Sequence, residues 1–199
     1  MKTISILLTL LTTALSASTQ NPLTLPAGSA LDGSIYELES TWYDQEGNPI
    51  TLENLAGKVR IVAMGYTSCM YACPRIIADL KSIEEKLTDD ERNSGQLSFS
   101  FISIDPENDT PERMKQLESD HEFDPRNWLL LTGDEDGVLE LAVALGMKYR
   151  KTSAMDFAHS NIITVLAPDG RIAYQTSAIG EDIAKTVAAI RTNLDAINK

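Results

Sequence analysis

Two short β-rich runs, Val59 to Gly65 and Leu97 to Ile104, limit the possible folds of this chain most severely. Each is bounded by turn residues, and the first is apolar enough for a central strand covered on both faces. Between them, Pro74 suits the first turn of a helix, and Ile76, Ile77, Leu80, Ile83 and Leu87 follow at helical spacing. A strand, a helix and a second strand in that order call for a crossover and a partly parallel sheet.

The pattern continues past Asp105 and Pro106. Thr110, Pro111 and Glu112 open a helix carrying Met114 and Leu117, and Trp128 to Leu131 reads as a short strand. Asp134 to Leu145 is an amphipathic helix stopped by Gly146. Ile162 to Leu166 and Ile172 to Tyr174 flank Ala167 to Gly170, a strong hairpin signal. Glu181 to Ile197 closes the chain as a helix with Ile183, Val187, Ile190 and Leu194 on one face. Near the start, Ser34 to Leu38 and Thr41 to Tyr43 are alternating or aromatic runs. The turn Asp44 to Pro49 before Ile50 to Leu52 predicts an N-terminal β-hairpin. The expected architecture is an α/β, thioredoxin-like sandwich, with a mixed central sheet and helices on both faces.

At 199 residues, with 43% hydrophobic and 23% charged, the chain supports one well-packed domain. No repeat, low-complexity tract or linker divides residues 31–197. Seventeen basic against 29 acidic residues give a net charge of −12, which argues against nucleic acid or an anionic membrane as the main partner. A cationic patch on another protein suits that charge better, although many ordinary soluble proteins are equally acidic.

Residues 1–17 read as a signal peptide: Lys2, a mainly apolar run from Ile4 to Leu15, then small residues with cleavage expected near Ala17. Twelve apolar positions fall short of the roughly 20 that span a bilayer, so no stable membrane anchor is expected. Residues 18–33 read as a flexible lead-in, and 34–199 as the folded domain.

Export changes the meaning of the two cysteines, because a periplasmic pair meets an oxidising environment. Cys69 and Cys73 close too small a loop to staple a fold effectively, so redox work or metal binding is the better reading. They fall between a strand and a helix N-terminus, where a thiolate is expected to have a depressed pKa. A helical four-residue step places the two Cα atoms about 6 Å apart, which permits a disulfide or a shared metal ion. Of the two histidines, His121 lies in an acidic, surface-like segment. His159 precedes the strand at Ile162 and can face the cysteine turn. Spacing alone leaves it open whether His159 is a ligand or a structural histidine. Two thiolates and an imidazole would suit copper, particularly Cu(I), whereas zinc normally takes a fourth ligand.

Five ordered segments carry a family resemblance: Tyr66 to Pro74, Ser103 to Pro111, Leu131 to Gly133 with Leu145 to Arg150, His159 with Ser160, and Pro168 to Gly170. Over about residues 34–197 the chain resembles the Sco/SenC family of copper-binding, thioredoxin-like proteins. The resemblance implies copper, as Cu(I) or Cu(II), held by Cys69, Cys73 and His159. It also implies a metallochaperone delivering copper to the dinuclear centre of cytochrome c oxidase, or keeping its receiving cysteines reduced. The partner would be a copper-accepting protein, an oxidase subunit or another periplasmic copper protein. The alternative is a thiol–disulfide oxidoreductase using Cys69 and Cys73 as its catalytic redox pair. A thiol peroxidase fits less well, since no separate resolving cysteine exists. Met70 and Tyr71 stand where the family often has proline and an acidic residue, and the Met70 thioether is either a further soft ligand or loop packing. Asp105 and Asp109 are expected to brace a turn and cap the helix near Thr110, and Asp156 is not expected to be catalytic.

Overall fold

The computed structural model describes residues 33–69, 72–153, 156–176 and 183–198. The expected signal peptide, almost all of the lead-in and Met70 lie outside the described residues. The strands are β1 (Thr41–Asp44), β2 (Pro49–Thr51), β3 (Val59–Gly65), β4 (Leu97–Ser103), β5 (Trp128–Thr132), β6 (Tyr149–Ser153), β7 (Asp156–His159), β8 (Ile163–Leu166) and β9 (Ile172–Thr176). The helices are α1 (Ala72–Glu85), α2 (Asp89–Asn93), α3 (Pro111–Asp120), α4 (Glu135–Ala144) and α5 (Ile183–Ile197).

Seven strands form one mixed sheet in the order β2-β1-β5-β4-β3-β8-β9. Strands β3, β4 and β5 are parallel, while β1 and β8 run antiparallel to their neighbours. Every residue of β3 and β4 is buried, so both faces of the sheet centre are covered. Even Arg60 on β3 is accommodated, because its guanidinium donates to the Ser98 and Ser100 hydroxyls and the Leu55 carbonyl. Chain caps fix the helix starts: the Thr110 hydroxyl accepts the Arg113 N–H, and the Asp134 carboxylate accepts the Gly137 N–H at 2.7 Å. Among the described residues, no helix is long and apolar enough to cross a membrane.

The β1–β2 and β8–β9 hairpins lie where turn chemistry places them. The Ser34 to Leu38 run is different. It forms a single 3-10 turn, Ile35–Glu37, capped by Ser34. The Ile35 N–H bonds the Gly170 carbonyl at 3.1 Å, so this segment docks on the β8–β9 turn instead of extending a sheet. Three elements carry no apolar periodicity in the sequence. Helix α2 rests on a Thr88–Glu91 capping box, and β6 and β7 pair with each other as a separate two-stranded sheet.

Candidate metal centre

Strand β3 ends at Gly65 and hands the chain to a tight turn bearing Cys69, after which α1 begins. Cys73, the second residue of α1, is 3% exposed, and Cys69 is half-buried. The Cys73 N–H points at the Cys69 sulfur at 3.3 Å, and the Tyr66 N–H at the Cys73 sulfur at 3.4 Å. These backbone donors hold both sulfurs in place. Gly65 makes the approach possible: a Cβ there would stand 2.8 Å from both the Cys73 Sγ and the Phe101 ring.

The turn is braced from the neighbouring strand. The Asp109 carboxylate, 0% exposed, accepts the Thr67 N–H at 3.0 Å, the Thr67 hydroxyl at 2.5 Å and the Ser103 hydroxyl at 2.6 Å. Burial raises its pKa, and the Ser103 and Thr67 hydrogen bonds oppose that rise. Asp109 therefore ties the β4–α3 loop to the cysteine turn, and the helix cap expected of it is made by Thr110. Asp105 does brace its own turn, by accepting the Asn108 amide at 2.9 and 3.0 Å.

The third donor arrives on the small β6–β7 sheet, so His159 ends a strand, where a loop was expected. Its Nε2 lies 3.9 Å from the Cys73 sulfur, and the ligand atoms of Cys69, Cys73 and His159 all fall within 4.8 Å of one another. On the other side of the ring, Nδ1 lies 3.2 Å from the Ser160 carbonyl. A carbonyl only accepts, so Nδ1 carries the proton and Nε2 offers its lone pair towards the sulfurs. Burial lowers the His159 pKa, which keeps the ring neutral at pH 7.

Tyr66 joins the two halves. Its hydroxyl, on a side chain 2% exposed, donates to Asp156 at 2.5 Å and accepts the Phe157 N–H at 3.3 Å. Its ring meets His159 edge-on at 5.8 Å. Burial, with the Asp156 hydrogen bond, pushes the Tyr66 phenol well above its ordinary pKa, so it stays a proton donor. Neither this tyrosine nor Gly65 was expected to support the site, whereas Asp109 braces a turn as expected, though the turn is the distant one bearing Cys69.

Cys73 departs from expectation. Burial pushes its thiol well above the ordinary cysteine range, outweighing the Tyr66 N–H that points at its sulfur. His121 is also not the solvated residue anticipated: it is half-buried, stacks on Phe123 at 5.4 Å, and stands outside the cluster. Two sulfurs and one neutral imidazole form a soft, low-coordinate set that fits a copper ion and falls one donor short of a closed zinc site.

A thioredoxin-like sheet with a two-cysteine turn at its centre and an imidazole brought in on an accessory hairpin defines a recognisable class. The chain belongs to the SCO1/SenC family, whose model matches residues 32–195. It is similar to the SCO1 protein homolog of Bacillus subtilis, 29% identical over 141 residues that cover 69% of this chain and 72% of that protein. Two solved structures with copper bound superimpose well. Arabidopsis thaliana ScoI is 26% identical with a TM-score of 0.65, covering 77% of this chain and 96% of its own. Bradyrhizobium japonicum ScoI is 25% identical with a TM-score of 0.64 and the same coverages.

Proposed function

We propose that this protein is an exported copper carrier that binds one ion through Cys69, Cys73 and His159 and passes it to a copper-accepting protein in the periplasm. An oxidase subunit or another periplasmic copper protein is the natural recipient. The observation carrying this reading is the convergence of three soft donor atoms within 4.8 Å. Copper is cargo here, so the site must release it as well as hold it. Cys69 and His159 are half-buried and Cys73 is buried, so an incoming ligand reaches the ion from the Cys69 and His159 side. Cys73 is the last donor to let go. Binding must displace the proton that burial keeps on Cys73, whereas the neutral His159 gives up none.

The thiol–disulfide oxidoreductase reading is weaker, because exchange has no use for His159. One comparison separates the two. Reduced protein, prepared without oxygen, is titrated with Cu(I) and Cu(II) against a competing chelator, beside a dithiol-exchange assay. Wild type is expected to take up one ion and the Cys69→Ser, Cys73→Ser double variant none. His159→Ala is expected to weaken copper by at least about 10–100-fold, more for Cu(II) than Cu(I), with exchange unchanged. Intact copper affinity with crippled exchange in His159→Ala would establish the oxidoreductase instead.

A further inference from the structure

The hairpin that carries His159 has a second use for the same face. Tyr149 pairs directly with His159, and Lys151 with Phe157, so all four side chains project to one side of the β6–β7 sheet. Three of them line a groove of about 280 Å³ whose opposite wall is α4, through Val138, Leu139 and Glu135. The groove, floored by Ile104 to Glu107, thus runs from the surface of α4 to Tyr149, the strand partner of His159.

The outer face of α4 is unusual in composition. Leu139 is 54% and Val143 61% exposed, one turn apart, two of the three large exposed hydrophobics among the described residues. Exposed beside them stand Glu135, Asp136 and Glu140, and the helix contains no lysine or arginine. Lys151, the cation in the groove, is held by Glu107 at 2.5 Å. An apolar pair on a helix whose charges are all acidic, beside a groove whose one cation is already paired, repels a second copy of this chain, whose net charge is −12. It is complementary to an apolar side chain flanked by lysine or arginine.

We propose that the outer face of α4 and the adjoining groove are the docking surface for the copper-accepting protein, which presents an apolar side chain between basic residues. The proposal rests on the copper-carrier reading, and it gives the site a direction. An acceptor seated on α4 meets the ion from the His159 side, past Tyr149 and Phe157. The acidic rim steers the encounter, and Leu139 and Val143 fix the register.

The test uses a short peptide alternating lysine with leucine and phenylalanine, and its glutamate counterpart, added to the reduced, copper-loaded full-length mature chain. Binding is read by anisotropy and by amide shifts. The cationic peptide is expected to perturb α4 and β6–β7, and to bind more weakly as salt is raised. The Glu135→Gln, Asp136→Asn, Glu140→Gln variant is expected to lose about tenfold in affinity, at about 0.5 kcal/mol for each exposed pair. Leu139→Ser with Val143→Ser is expected to weaken binding without changing the salt dependence. Shifts elsewhere on the surface, equal binding of the acidic peptide, or self-association through α4 would overturn the proposal. Copper affinity is measured on the same samples. A protein that binds the peptide on α4 but holds no copper defeats the carrier reading alone, and one that holds copper but ignores the peptide defeats the docking surface alone.

Discussion

The two sides of the metal centre are built to different standards. The cysteines stand at the end of β3, a strand buried at every position and paired on both edges. His159 stands at the end of β7, in a two-stranded sheet whose partner strand is largely exposed. Isolated two-stranded sheets are marginal in water, so the hairpin depends on what clasps it to the body. Tyr66 holds its start through Asp156 and Phe157. Ser160 closes the hairpin on itself at its base, with its N–H on the Lys148 carbonyl at 2.8 Å and its hydroxyl accepting the Lys148 N–H at 2.9 Å, so Tyr66 is the clasp to the body. Two sulfurs on the buried body of the sheet thus face an imidazole carried on an accessory hairpin, the arrangement on which the proposed carrier role draws.

The strongest challenge to that contrast is Gly65→Ala. Its new Cβ has nowhere to go on the rigid side, with the Cys73 sulfur and the Phe101 ring both 2.8 Å away. Overpacking of this kind costs about 3 kcal/mol, a fall of about 6–12 °C in thermal midpoint for a domain of this size. Copper affinity is expected to drop with it, because the displaced sulfur is a donor. A midpoint within a degree of wild type would mean that the cysteine side is soft after all.

Asp109→Ala comes next. It leaves the Thr67 N–H and the Ser103 hydroxyl without their buried acceptor, a loss of about 1–3 kcal/mol. Restoring the carboxylate with Asp109→Glu is not expected to rescue the variant, since a fully buried site has no space for another methylene. Calorimetry on the three proteins checks the order.

On the hairpin side, Tyr66→Phe should cost only about 1–2 kcal/mol of global stability, the usual net value of the two hydrogen bonds its hydroxyl makes. Its effect on the site is expected to be larger in proportion, because the clasp aims His159: about a tenfold loss of copper affinity, the low end for a supporting residue. Hydrogen exchange should quicken in β6–β7 and stay unchanged in β3 and β4. Equal quickening in both sheets would erase the distinction.

The contrast also marks what the sequence could and could not reveal. Strands β3 and β4, the helix behind Pro74 and the turn at Pro168 to Gly170 are local signals, and each stood where its residues placed it. Cys69 and Cys73 were legible from their spacing and position. The supporting residues were not, because their partners are distant: Thr67 meets Asp109 across 42 positions and Tyr66 meets Asp156 across 90. Strands β6 and β7 escaped because Tyr149 to Ser153 shows no apolar alternation, being exposed at four of five positions. The thiol of Cys73 was misjudged for a related reason. A helix N-terminus is visible in a sequence, but the depth at which it is buried is not.

The smallest effect is one of pH, and it falls on the hairpin. Burial lowers the pKa of His159 below its ordinary 6.5, so below that value the unfolded chain takes up a proton more readily than the folded one. The stabilising contribution is complete above pH 6.5 and is lost as pH falls through the folded value. His121 shifts in the same direction, by burial and by the nearby Lys81, so the metal-free protein should destabilise through both histidines together. They can be told apart by place. Protonating His159 sets a charge inside the clasp and is expected to loosen β6–β7 first, seen as faster amide exchange there once intrinsic rates are corrected. Protonating His121 acts on its contact with Phe123, away from the hairpin. His159→Gln should flatten the pH dependence of β6–β7 exchange, and His121→Gln should leave it as steep as before. Should His121→Gln flatten it instead, the acid response belongs to the body of the fold, and the hairpin is less independent than its construction implies.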